Sequence, residues 1–543
     1  MASVPTLDLD WLFAAPSRFP PSPLCPSTLA GHTDDSVQTL RTLLKLNIQN
    51  HHIFVNELGF HNHLPHHLFA KFALGANSNL LRAIYEHDKA MLLPAIPSPG
   101  LITPENYISH LGVSKTLEEY IYSRKANYDD QLGNNQPEMF SRFIGSLYHP
   151  LIHLGYGLEF GVVGVVAGGT SRTITHQAIG TALAEMAVHE SHTSPLIPVS
   201  SWDDDNHPGE ISSLGSRMTS HSLGYTAPGL NDVSPAPSSR TEEISLFNIL
   251  AMIQRDDTMT IQAVGITEIN RTSYYEVVEK LQEPLLKEAL FRIRSLLILA
   301  DLSCTVYRYA NMWTLNIGRG TAGDREVERK IEEFAFAVTL MYGVGRWSPN
   351  EERPFWADFF LMHLITSSLF FPAIVAYFPP HAIQLLFRTY LCTILALWIT
   401  EQKPVLHIKE FMKSTTISPQ DPNAALKLSH KPVKGTLTPE TVTPNPWLAI
   451  VPSVLEHSDE HFCKIMRSLM HWANLFGSRP AGYWAGGKEE LEGIEALDGT
   501  LFLRVAGLTM GELGWAKEGQ DMGGWVRSLP PPRVHGIRPG IER

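Results

Sequence analysis

Apolar side chains recur at i, i+3, i+4 and i+7 over one long stretch after another, and strict alternation is rare. "SVQTLRTLLKLNIQNHHIFVN" (36–56), "LFNILAMIQRDD" (246–257) and "YEVVEKLQEPLLKEALFRIRSLLILADLSCTVYRYANMW" (275–313) carry this spacing, as do "REVERKIEEFAFAVTLMYG" (325–343) and "HAIQLLFRTYLCTILALWITEQ" (381–402). That period gives each helix one apolar stripe, and without strands to form a sheet the stripes must bury one another. The spacing predicts an all-α chain, a large single helical domain with long surface loops. With 543 residues, 44% of them hydrophobic, the chain has enough apolar surface for a large core. Residues 194–240, rich in Ser, Pro, Gly and Asp, and 412–446, rich in Thr, Pro and Lys, read as the surface loops. Residues 1–35 read as a flexible proline-rich leader and 527–543 as a disordered tail.

Several function classes are disfavoured by composition. The formal net charge is −12, which opposes nucleic acid or an anionic membrane as partner. Cys25, Cys304, Cys392 and Cys463 lie far apart with no CxxC pair, and the N-terminus has neither a basic n-region nor an apolar h-region. A disulfide scaffold and a secretory signal are both unexpected, and a cytoplasmic location fits. "LMHLITSSLFFPAIVAYF" (361–378) tempts toward a membrane span. His363, Ser367, Ser368 and Pro372 interrupt it and Pro379-Pro380 follow, so a buried core helix broken by proline is expected instead.

Histidine carries the strongest chemical signal. "GFHNHLPHHLFAKFALGA" (59–76) holds His61, His63, His66 and His67, and Pro65 suits the first turn of a helix beginning there. "SLYHPLIHLGYGLEFG" (146–161) repeats the device with His149, Pro150 and His153. A third contribution is His363 in "DFFLMHLITSSLFF", five residues after Asp358. Helices that each turn one or two imidazoles inward are how bundles build metal sites, and a set of nitrogens without thiolates suits Fe(II), Cu, Zn or Mn. Against this, the chain has 24 histidines, so some crowding is expected by chance, and a lone core histidine is usually a hydrogen-bonded structural residue.

Other candidates are weaker. His461 and Lys464 in "DEHFCKIMRSLMHW" fit a solvated helix face as well as an outer role. Lys330 is ordinarily a surface lysine paired with Glu326 or Glu333. Turned inward, it would serve as a perturbed base or, once carboxylated, as an oxygen ligand. "GYGLEFGVVGVVAGGTSR" (155–172) lacks GxGxxG spacing and a preceding strand, so close helix packing explains its glycines. No P-loop, GxSxG or HExxH occurs.

Taken with "DGTLFLRVAGLTMGELGW" (498–515), the three histidine segments resemble the fungal questin oxidase-like family, in order and over about residues 40–526. The resemblance implies a helical oxygenase, the domain then spanning 36–526, that opens an anthraquinone ring toward a benzophenone or xanthone by Baeyer–Villiger-type oxidation. Its implied partners are dioxygen and a planar polycyclic phenol or anthraquinone. It also implies NADPH as electron donor without a flavin fold, and it leaves room for a non-haem Fe(II) centre. One departure stands out. "GGTSRTITHQAIGT" (168–181) intervenes where family members continue a helix, as a loop insertion or an untranslated stretch retained in the coding sequence.

The resulting expectation is a site in which His63, His67, His153 and His363 act catalytically. The metal ligands are expected among His63, His67, His149, His153 and His363, with Lys330 as an outside member. The rival reading is a non-catalytic helical scaffold of a biosynthetic complex, whose imidazoles would diverge instead of meeting in one cavity.

Overall fold

Proline and polar caps set where the helices of this chain begin. A computed structural model describes residues 9–55, 60–95, 136–166, 186, 243–260, 305–349, 354–419, 445–486 and 490–527. Its longer helices are α1 (Asp34–Asn50), α2 (Leu64–Ala73), α3 (Ser78–Asp88), α4 (Gln136–Phe160), α5 (Leu246–Arg255) and α6 (Thr305–Met312). They continue with α7 (Thr321–Thr339), α8 (Phe359–Ser368), α9 (Pro380–Thr400), α10 (Trp447–Glu456), α11 (Glu460–Phe476) and α12 (Leu501–Leu513). Among the described residues only isolated β-bridges occur, as the all-α expectation requires. Of the expected helix 275–313, only Thr305–Met312 falls within the described residues. Residues 168–181 and 194–240, most of 412–446 and the tail beyond Arg527 lie outside them.

At the centre, α2 packs on α4 and α11, and α8 packs on the same two helices, closing a four-helix ring. Every residue of α2 is buried, as befits a helix that is apolar on nearly all sides. Pro65 sits in its first turn, where it has no N–H to satisfy, and Asn62 Oδ1 accepts from Leu64 N at 3.0 Å, which together fix the start. α4 is two helices joined by Ser146, Leu147 and Tyr148, all with positive φ. Left-handed backbone costs about 1–2 kcal/mol per non-glycine residue. Burial of Tyr148, whose ring lies 5.1 Å from that of Tyr390, helps offset it. The helix restarts at His149 with Pro150 in the new first turn.

α8 is capped by Asp358, whose Oδ1 accepts from Phe360 N and Leu361 N at 2.9 and 2.8 Å while Oδ2 pairs with Arg346 at 2.7 Å. α11 is capped by Asp459, which accepts from Phe462 N at 2.8 Å. The ammonium of Lys71, on α2, donates to the carbonyls of Val454, Leu455 and His457 at 2.8, 3.0 and 2.6 Å. This cation closes the C-terminal end of α10 and ties the start of α11 to α2.

One expectation holds here and another changes. The stretch 361–378 breaks between α8 and a short helix, Phe371–Val375, and is buried as expected. The described helix long and apolar enough to cross a membrane is a different one, α9, and 89% of its apolar window is buried within the protein. The expected leader is instead packed from Leu9 onward. Leu12, Phe13, Leu24 and Cys25 are buried, and Ser17 N donates to Phe160 O at 2.6 Å. It attaches through isolated apolar residues, which leave no periodic signal in a sequence.

Gly155 lets α4 lie directly on Phe370. A β-carbon there would stand 2.2 Å from Phe370 Cγ and 2.4 Å from its Cβ. Rotating the ring cannot relieve the second clash. Ala is favoured over Gly within helices by about 1 kcal/mol, but overpacking of this kind costs about 1–3 kcal/mol. Gly155→Ala is therefore expected to be neutral at best and destabilising by up to about 2 kcal/mol in urea unfolding, the difference of those two effects. Clear stabilisation would show that the helix and Phe370 are not in contact.

Candidate metal centre

Each helix of the central ring supplies one imidazole at or near its start. His63 is the cap of α2, His149 opens the second half of α4, His363 lies in the second turn of α8 and His461 in the first turn of α11. Ligand nitrogens of His63, His149 and His461 all lie within 4.8 Å of one another. The His363 ring is 5.1 Å from His149 and 5.2 Å from His461, centroid to centroid.

These four share a pattern in their two nitrogens, one that His67, turned to Asp88, also shows. His149 Nδ1 donates to Ser146 O at 2.5 Å and His363 Nδ1 to Phe359 O at 2.8 Å. Nδ1 of His63 and of His461 each stand 3.1 Å from the same Glu460 oxygen. An imidazole that donates from Nδ1 is left with a lone pair on Nε2 when neutral. The Nε2 atoms of His63 and His149 face each other at 2.7 Å, and those of His363 and His461 are buried without a hydrogen-bond partner among the described residues. Two lone pairs at that distance repel unless a proton or a cation stands between them. Oxygen acceptors behind Nδ1 are the usual outer support of metal-bound histidine.

The electrostatics agree. Burial, reinforced by the positive charge of Lys464 and by neighbouring imidazoles, holds His63 and His363 well below the usual histidine range. Burial does the same for His66 and His149, with neighbouring imidazoles as the next cause. Burial pushes the Glu460 carboxyl up, but His461 and His63 outweigh it and hold the carboxyl well below its ordinary value. A cavity of about 470 Å³ opens onto His61, His63, Glu460 and His461, with Phe60, Leu64, Met91, Phe359 and Arg527 among its walls. His149 and His363 lie behind that wall, buried, and the His61 ring stacks on His149 at 4.2 Å and 3°.

Of the residues expected from sequence, His63, His149 and His363 come together. His153 does not join them directly: its Nδ1 meets His66 Nε2 at 3.1 Å, one layer deeper. His67 turns to Asp88, with Nδ1 2.8 Å from Oδ2. Lys330 is buried, as its inward alternative required, but it pairs with Glu333 at 2.7 Å and stands over the Trp313 ring. No contact brings it to the imidazoles. The lysine beside them is Lys464, buried on α11 one turn after His461. Sequence reasoning leaves His461 an outer candidate and misses Glu460 because "DEHFCKIMRSLMHW" reads as amphipathic and solvated. Phe462, Ile465, Met466 and Leu469 form a single apolar stripe that leaves out His461 and Lys464, so the period held no cue; both are buried because α11 packs on α2 and on α8.

Comparison with known proteins places the chain in a family. The family described as Questin oxidase-like matches residues 60–115 and 107–469. A Baeyer-Villiger oxidase of Paecilomyces divaricatus is 30% identical over 173 residues, which cover 27% of this chain and 36% of that protein. A questin oxidase of Aspergillus fumigatus is 26% identical over 166 residues, covering 27% and 37%. A Baeyer-Villiger oxidase of an Aspergillus strain is 28% identical over 141 residues, covering 26% and 33%. The matched stretches thus span about a third of the length of these curated relatives.

The depressed imidazoles make stability depend on pH. Below about pH 6.5 the unfolded chain takes up protons that His63, His66, His149 and His363 refuse when folded. Their contribution is fully present above that pH and is lost on acidification, by up to about 1.4 kcal/mol per pH unit and group. With a chelator present, urea unfolding should show stability falling from pH 7.5 to 5.5. The fall should be shallower, by about one proton, in His363→Asn. A curve that is flat or rises on acidification would contradict the neutral cluster.

Proposed function

Because the chain belongs to the questin oxidase-like family, we propose that it is an oxygenase performing Baeyer–Villiger-type oxidative ring opening of an anthraquinone, in the cytoplasm, on the way to fungal benzophenones or xanthones. The observation that carries this reading is the set of four inward Nε2 atoms whose Nδ1 partners are all oxygen acceptors. Such a donor set fits Fe(II) or another borderline divalent metal. His63, His149 and His461 would hold the ion, with His363 beside them. The metal would supply Lewis acidity toward the ring carbonyl and a redox partner for dioxygen.

The balance of the reaction is simple. One oxygen atom enters between the ring carbonyl carbon and its neighbour, and the other leaves as water. NADPH provides two electrons and solvent the remaining proton; hydrolysis of the lactone then opens the ring. Glu460 keeps the Nδ1 protons of His63 and His461 in place, which orients both rings and raises their basicity. The walls formed by Phe60, Leu64, Met91 and Phe359 suit a flat aromatic substrate and exclude water from it. Lys464 takes over the role expected of Lys330. Among the described residues no ion pair engages its ammonium, and burial pulls its pKa down. Once deprotonated it would serve as a base or, once carboxylated, as an oxygen ligand.

The scaffold alternative requires divergent imidazoles, and the observed convergence weighs against it. Metal analysis of the purified chain is expected to find about one transition-metal ion per chain, as a single set of imidazole donors would hold. It should be lost in His149→Ala and kept in His67→Ala. Glu460→Gln should lower metal affinity by about 10–100-fold, the usual effect of removing an outer partner. Loss of a hydroxyanthraquinone should require air and NADPH. Absence of metal from the wild type, or full metal and activity in His149→Ala, would refute the centre.

A further inference from the structure

Residues 525–527 form a strap pinned from two sides, and its last residue reaches the cavity. Trp525 Nε1 donates to both oxygens of Asp459, at 3.0 Å each, next to Glu460 and His461. Val526 N donates to Ala357 O at 2.8 Å, and Phe359 N donates to Val526 O at 2.9 Å. Held between the starts of α8 and α11, the strap sets Arg527 with its guanidinium 4.6 Å from the centroid of the Phe359 ring. Both side chains line the cavity.

Arg527 is the sole lysine or arginine among the lining residues. The cavity also holds two carboxylates, but neither is available to it. Asp88 is bound by His67 and His87, and Glu460 by His63 and His461. Arg527 is exposed at the cavity, and among the described residues no ion pair engages its guanidinium, which has one face on Phe359 and its N–H edge open to solvent or ligand. A planar cation stacked on an aromatic wall, beside apolar side chains, is built to receive an aromatic ring whose edge carries negative charge.

We propose that Arg527 is a specificity residue that anchors an ionised acidic substituent, a phenolate or carboxylate, on a planar polycyclic substrate. This deepens the ring-substrate reading above and rests on it. Hydroxyls conjugated to a quinone carbonyl are acidified because the carbonyl draws electron density through the ring, so the substrate class supplies the anion. With its charged edge on Arg527 and its flat face along Phe359, the ring is placed with its body toward the imidazoles. The neutral ring alone would be held by the apolar walls without a fixed orientation.

The test reads binding without turnover, so it stands apart from the oxygenation chemistry. Full-length wild type, Arg527→Gln and Arg527→Lys are titrated anaerobically and without NADPH, following tryptophan fluorescence. The ligands are anthraquinone-2-carboxylate and its neutral carboxamide. Arg527→Gln should weaken carboxylate binding by about tenfold, the size of one charge-assisted hydrogen bond, and change carboxamide binding by less than about twofold. Arg527→Lys, which keeps the charge and loses the fork, should fall between. Equal weakening of both ligands would make the residue merely structural, and no weakening of either would remove it from the site; each result overturns the proposal. If the wild type discriminates as expected but oxidises no ring, the anchor stands and the oxygenase reading falls.

Discussion

A buried imidazole has two polar nitrogens to satisfy, and the centre of this protein rests on satisfying only one of them. In His63, His149, His363 and His461 the Nδ1 side is committed to a carboxylate or a backbone carbonyl, and the Nε2 side is turned toward the others. An unpaired buried polar atom costs about 1–3 kcal/mol. Two such atoms, on His363 and His461, lie beside the facing pair of His63 and His149, an arrangement that a bound cation would relieve. Glu460 matters most here, since its one oxygen serves two of the rings, and its negative charge offsets some of the positive charge of Lys464 close by.

The fold can be understood as a device for delivering those nitrogens. Imidazoles near helix starts are held by the caps: Pro65 after His63, the left-handed turn before His149, Asp358 before His363 and Asp459 before His461. A side chain in a helix interior would inherit any bending of that helix, whereas a capped start fixes both backbone and entry direction. Ser146–Tyr148 is the expensive element. Its three left-handed residues bring the Ser146 carbonyl back onto His149 Nδ1, so the strain is spent at the centre itself, a common place to find it. Lys71 and the Trp525–Asp459 contact then tie α11 to α2 and to the strap, and the cavity side of the centre is closed by the same elements that position it.

Behind this centre lies a second polar layer of His66, His153 and the buried Glu159–Arg467 pair. Such a pair is tolerated at full burial only with its charges matched, and the Arg467 guanidinium also stands over Tyr156 and Phe160. The layer explains why His153, legible from its spacing to His149, points away from the cavity. One turn along α4 moves it to the next level of the bundle, where its partner is His66 and not the metal position.

The sequence by itself determined the helical class, through the 3.6-residue apolar period, and two of the four helix starts, through proline placed beside histidine. It also put His63, His149 and His363 on separate elements able to converge. Only the tertiary structure decided the rest. Which imidazole of a crowded pair faces inward depends on helix rotation, and that is set by packing partners far away in sequence: His63 meets Glu460 across nearly 400 positions. The same holds for Lys330 and Lys464. Both lie on amphipathic helices and both are buried, but Lys330 finds a carboxylate one turn away while Lys464 is carried to the imidazoles by the docking of α11 on α2 and α8. Period fixes a stripe along a helix; the neighbour against which that stripe lies is a property of the whole chain.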